Sequence, residues 1–136
     1  MEEVLVRILL ADPGVRASVG DRVTPVTRLQ GGVLPALVVQ TISGRRGYTT
    51  EGPDGLVTSR VQLDAWGRRY AEAKTAARAA IRALSGLSGE IAGVAFGGVF
   101  VDGEDDSLDA GSNSQSGQPE RYYRTRVDFI IWHHGA

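Results

Sequence analysis

The chain contains no cysteine, which excludes a disulfide framework, a thiolate zinc site and a cysteine nucleophile together. Aromatic residues are scarce, 7% of 136 residues, too few for an extended base-stacking surface. Neither sign of charge prevails: 15 basic and 16 acidic residues leave a formal net charge of −1. Nothing in that total attracts nucleic acid or an anionic membrane, so any such contact has to come from a local patch. No run approaches the roughly 20 apolar residues of a membrane span. The opening Met1-Glu2-Glu3 has the wrong sign for a secretory leader, and Arg7 interrupts the first apolar run. A soluble, cytoplasmic product with no membrane partner is the default expectation.

What is present suffices for one domain spanning residues 1–136. The composition is 42% hydrophobic, and domains of this size hide roughly two-thirds of their unfolded surface. Glu2 to Ala11 places Val4, Leu5, Ile8 and Leu9 at helical spacing, with Asp12-Pro13-Gly14 as a stop and Val15 to Val19 as one further turn. Arg22 to Val26 reads as a short extended segment that Pro25 confines to an edge or an end, and Gln30-Gly31-Gly32 as a loop. Ala36 to Ile42 suits a strand buried on much of both faces. Residues 43–55 carry Gly44, Gly47, Gly52, Pro53 and Gly55 and read as a long hairpin arm or loop. Leu56 to Trp66 alternates, with Val57, Ser59, Val61, Leu63 and Ala65 on one face. Arg68 to Leu84 is the clearest helix, its stripe running through Tyr70, Ala73, Ala77, Ala80, Ile81 and Leu84. Ile91 to Val101 follows as a strand, 102–120 as a long mobile loop, and Arg121 to His134 as a last alternating strand. The order indicates an α+β fold: a mainly antiparallel sheet of four to five strands, packed against one long helix plus a short N-terminal helix.

Few residues offer chemistry. There is no P-loop, GxSxG elbow, dinucleotide fingerprint or HExxH, and the two histidines, His133 and His134, point to opposite faces of a strand, where a polar strand end is the simpler reading than a metal site. The acidic run Asp102, Glu104, Asp105, Asp106 and Asp109 lacks the glycine and glutamate of a calcium loop and reads as a solvated segment. No enzyme, cofactor or metal is expected. Two basic features remain. Lys74, Arg78 and Arg82 recur every four residues on one side of the long helix, where like charges repel slightly; the row therefore faces open solvent or meets acidic groups on a neighbour. Arg45 and Arg46, with Tyr48 beside them, could contact phosphate. All these charged and aromatic residues are candidates for a partner interface, and a small nucleic-acid-binding module is the alternative they leave open.

Several stretches taken in order carry a resemblance: LLADPGV, GDRVTP, LPALVVQTISG, GLVTSRVQLDAWG followed by RRYAEAKTAARAAIRAL, VFVDGEDD and RYYRTRVDFIIWH. Over nearly its whole length the chain resembles the siphophage tail-completion, or tail terminator, family, most clearly at the junction Asp64-Ala65-Trp66-Gly67 with Tyr70-Ala71-Glu72-Ala73 behind it. The resemblance implies an α+β subunit of a ring, usually a hexamer, at the head-proximal end of a phage-like tail. Such a ring ends polymerisation of the tail tube, offers its other face to the head connector or stopper, and lets DNA through without sequence-specific binding. It also implies a virion component assembled in a bacterial cytoplasm, encoded by a phage or a gene transfer agent, with no catalytic residues. Long strands with unpaired edges agree with pairing between chains, and a closed ring needs a heterologous interface.

Overall fold

The computed structural model describes residues 1–25, 33–110 and 121–134. Three helices, α1 (Glu2–Ala11), α2 (Pro13–Val19) and α3 (Tyr70–Leu84), accompany six strands: β1 (Val23–Pro25), β2 (Ala36–Thr49), β3 (Gly52–Gly67), β4 (Gly89–Ile91), β5 (Val94–Ala110) and β6 (Arg121–His134). They form one sheet in the order β1-β2-β3-β6-β5-β4. Only the β1–β2 pair is parallel; the other pairs are antiparallel. The architecture is mixed α and β as expected, with six strands rather than four to five. The missed strand is β4, three residues long and opened by Gly89 at φ 95, too short to show a periodicity.

The apparent stop at Asp12-Pro13-Gly14 joins two helices. The Asp12 backbone N–H closes α1 on the Leu9 carbonyl at 3.2 Å, while its carboxylate accepts the Val15 N–H at 3.0 Å and so caps α2. Pro13 at the first helical position lacks only an N–H that would have had no partner. Instead of one short N-terminal helix there are therefore two.

The helices and alternate residues of the sheet share one core. Val61, Leu63 and Ala65 of β3 and Val127, Phe129 and Ile131 of β6 face Leu5, Leu9, Val15, Val19, Ala76, Ala77, Ala80 and Leu84. Full burial of a side chain the size of Leu or Phe contributes about 1.5–3 kcal/mol. The α3 stripe is wider than its spacing suggested: Ala76 and Ala79 are buried too, and α1 and α2 as well as the sheet pack against this helix. Tyr70, expected inside, is 51% exposed; it stands edge-on to Tyr123, ring centroids 6.3 Å apart. Ile81 is partly buried against the core.

Of the two readings of residues 43–55, hairpin arm or loop, the structure has the arm, and much of the proposed loop 102–120 is strand. Residues 43–55 form the outer half of the β2–β3 hairpin, which turns only at Thr50-Glu51, between paired Thr49 and Gly52. Glycines there serve packing as well as turning: Gly47 leaves room for Asp54, whose carboxylate accepts the Leu56 N–H at 2.9 Å. Of the proposed loop 102–120, Asp102 to Ala110 lies in β5: Asp102 sits at a bulge between Val101 and Gly103, and Gly103 to Ala110 pair with Asp128 to Arg121 of β6. Residues 111–120, like the proposed loop at 30–32 and Val26, lie outside the described residues.

Gly67 closes the junction between sheet and helix. A Cβ there would stand 2.8 Å from the Ala73 backbone nitrogen and 3.0 Å from the Arg69 carbonyl. Gly67→Ala should therefore lower unfolding stability in urea by about 1–3 kcal/mol, the usual cost of overpacking. Gly103→Ala, whose new methyl meets nothing within 4 Å, should stay within about 0.5 kcal/mol of the parent. Equal midpoints for the two variants would show that the junction is not close-packed.

Candidate functional site

The chemistry-bearing residues fall on two hairpins that extend in opposite directions. β3 pairs with β6 from Leu56↔His134 to Gly67↔Tyr123. Beyond Leu56 at one end, the β2–β3 arm continues alone to its turn. Beyond Gly67 at the other, β5 and β6 continue to Ala110↔Arg121.

Arg45 and Arg46 lie on β2 at the root of the first arm, opposite Thr58 and Val57, and Tyr48 lies within it, opposite Pro53; all three are exposed, Tyr48 by 69%. Where the arm leaves the body, a shallow recess is lined by Met1, Glu2, Thr41, Arg46, Ser59 and His133. His133 is 2% exposed and its Nε2 lies 2.9 Å from the Ser59 hydroxyl; His134 is exposed. The two histidines do face opposite ways, but His133 belongs to the buried side and is no solvated strand end. Its burial was not legible, since its strand partner Val57 and its hydrogen-bond partner Ser59 are distant in sequence. The Thr41 hydroxyl hydrogen-bonds Glu2, and that bond outweighs burial in holding the Glu2 carboxyl below its ordinary value.

The acidic residues stand in register along β5. Asp102 pairs with Arg60 at 2.9 Å. Glu104 and Asp106 both meet Lys74, at 2.8 and 3.1 Å, and the Thr125 hydroxyl donates to Asp106 at 2.7 Å. The basic row of α3 is thus divided: Lys74 meets acidic groups of its own chain and not of a neighbour, while Arg78 and Arg82 are exposed. Asp105 is exposed opposite Arg126, and Asp109 is opposite Tyr122 in the ladder. Hydrogen bonding to Glu104 leads the effects that raise the Lys74 value above the ordinary lysine range, with Asp106 adding to it against burial. Among the described residues, no three His, Asp or Glu side chains come together to hold a metal ion, and no helix is long and apolar enough to cross a membrane.

The sheet face opposite the helices has no described element over it. At its centre Asp64 accepts from Gln62 at 3.0 Å, with Arg126 Nε at 3.9 Å, and Arg124 lies over the Trp66 ring at 5.2 Å. Apolar Phe100 and Trp132 are 56% and 45% exposed on the same face. Burial pushes the Asp64 carboxyl above the ordinary aspartate value, against the opposing pull of Gln62, Arg124 and Arg126.

Among the described residues, the helices cover one face of a six-stranded sheet whose two hairpins extend from opposite ends. The family model for tail completion protein gp17 matches residues 3–134, and the chain belongs to that family of phage tail proteins. Among solved structures, a chain of a virion of a native gene transfer agent particle shares the fold, with a TM-score of 0.67 at 17% identity over 99% of this chain and 95% of that one. No curated protein matches in sequence.

Two carboxylates should respond oppositely to neutralisation. Burial presses the Asp106 carboxyl upward, but Thr125, Lys74 and Tyr70 together bring it below 3.8. Its ionisation therefore stabilises the fold above that value, and the contribution is lost as pH falls through the depressed one. Asp64 is raised, so its ionisation costs stability as pH rises through the folded-state value. At pH 7, Asp106→Asn should melt below the parent and Asp64→Asn at or above it, with both differences vanishing well below 3.8. Thermal melts that shift the same way in both variants would contradict these environments.

Proposed function

We propose that the chain is a tail terminator: a subunit of a ring, by resemblance a hexamer, seated on the head-proximal end of a phage-like tail tube. The observation that carries this reading is the family match across residues 3–134. In this reading the ring ends tube polymerisation because the face it turns outward no longer repeats the tube's own. That face is then free for the head connector, and DNA passes through the bore without sequence-specific contact. A terminator has to engage two different neighbours at its two ends, and hairpins extending from opposite ends of one sheet suit that task. We assign the tip of the β2–β3 arm, with Tyr48 and the Thr50-Glu51 turn, to the tube. The opposite end of the sheet, where β5 and β6 run past Gly67, is assigned to the connector.

The reading as a nucleic-acid-binding module gains nothing from Lys74, whose ammonium is already held by Glu104 and Asp106. The proposed role is tested by deleting Arg45 to Gly52. The shortened hairpin should leave a folded chain with the parent's far-ultraviolet circular dichroism, but tails assembled with it should be uncapped and overlong in electron micrographs. Tails of normal length would refute the assignment of this arm.

A further inference from the structure

Both long edges of the sheet are open along most of their length. β1 covers only Leu37 to Val39 of β2, and β4 covers only Val94 to Phe96 of β5. Among the described residues no strand flanks Gln40 to Thr49 on one side or Gly98 to Ala110 on the other, stretches of about 33 and 43 Å at strand rise. Backbone edges of this length are templates for another chain unless blunted. Proline, one common blunting residue, occurs in neither stretch. Exposed apolar side chains instead mark both: Ile42 at 47% on the first, Phe100 at 56% and Leu108 at 50% on the second.

The two edges differ in sign. Gln40 to Thr49 carries Arg45 and Arg46 and no acid; Gly98 to Ala110 carries five carboxylates and no base. Arg60 and Lys74 neutralise only part of the second set. Like charges directly across a strand pair are destabilising and unlike ones favourable. Each edge therefore opposes pairing with its own copy, which excludes symmetric edge-to-edge dimers and leaves the unlike combination.

We propose that copies of this chain join head to tail, the acidic β5 edge of one subunit adding to the basic β2 edge of the next, so that the sheet continues from subunit to subunit. This rests on the ring reading and specifies its interface. Three antiparallel steps separate β2 from β5, so the two strands run in opposite directions. Subunits related by rotation about an axis along the strands thus present an antiparallel ladder at the joint, the arrangement whose contact is heterologous and closes when the rotation does. The open part of β2 lies toward Leu56 and that of β5 toward Gly67. Neighbours therefore meet with an axial offset, as tilted strands do in closed barrels.

Two edge variants test the pairing in the full chain: Arg45→Glu with Arg46→Glu, which makes both edges acidic, and Asp105→Arg with Asp109→Arg, whose two new arginines together with Arg60 and Lys74 outnumber the three carboxylates left on the β5 edge. Tail tubes supplied with either variant alone should lack rings in electron micrographs and run long. An equimolar mixture should restore rings, because each variant then offers the other an unlike edge. Rings from either variant alone at the parent's level, or none from the mixture of two chains with native circular dichroism, would overturn the interface. If the unmodified chain forms no ring on tubes, the ring reading itself is what fails. Amide hydrogen exchange on the unmodified chain needs no variant to fold: exchange in Gln40–Thr49 and Gly98–Ala110 should slow at least tenfold on assembly, and unchanged exchange in either stretch would overturn the pairing.

Discussion

The pairing of β3 with β6 is the constraint on which the rest depends. Twelve consecutive register pairs, from Leu56↔His134 to Gly67↔Tyr123, join two hairpins that otherwise have no strand contact with each other. The same ladder aligns Val61, Leu63 and Ala65 beside Phe129, Val127 and Thr125, giving the helices an apolar floor to cover. A slip by one residue would turn each buried side chain outward. Gly67 then fixes how closely α3 returns over that floor, and its alanine-rich face allows the approach.

Alternation and helical spacing are local signals, and the elements that show them were legible. Leu56 to Trp66, Arg121 to His134 and the α3 segment appear in the fold almost as their patterns indicate. The polar segment Asp102 to Asp109 was not legible as a strand because its stabilisation comes from partners distant in sequence: Arg60, Lys74 and Thr125. Glycine and proline left residues 43–55 open between a hairpin arm and a loop, and the register with Val57 to Arg60 holds the segment as a ladder. Tyr70 was placed inside by spacing alone. At the first residue of its helix, it reaches past the sheet toward Tyr123 and Asp106.

The candidate surface was legible as a set of residues and not as an arrangement. The sequence brings Arg45 and Arg46 together, and the acidic run together, without showing that one belongs to each side of a single sheet. Membership of the tail completion family is the ground on which these residues are proposed to face neighbouring proteins. Lys74 is the exception: its charge serves the fold's own integrity, tying α3 to β5.

The position of β6 has a consequence for the time course of folding. It follows every other strand in chain order yet lies in the middle of the sheet, between β3 and β5. The β2–β3 hairpin and the helices can form early, but β3 keeps one raw edge until β6 arrives, and β5 has no long neighbour before then. Such non-local closure is slow, of order milliseconds to seconds in sheet-rich domains, and unpaired edges in the waiting species are prone to mispairing. During synthesis the subunit therefore passes through a period in which β3 offers a neighbour the edge that its own β6 will later occupy.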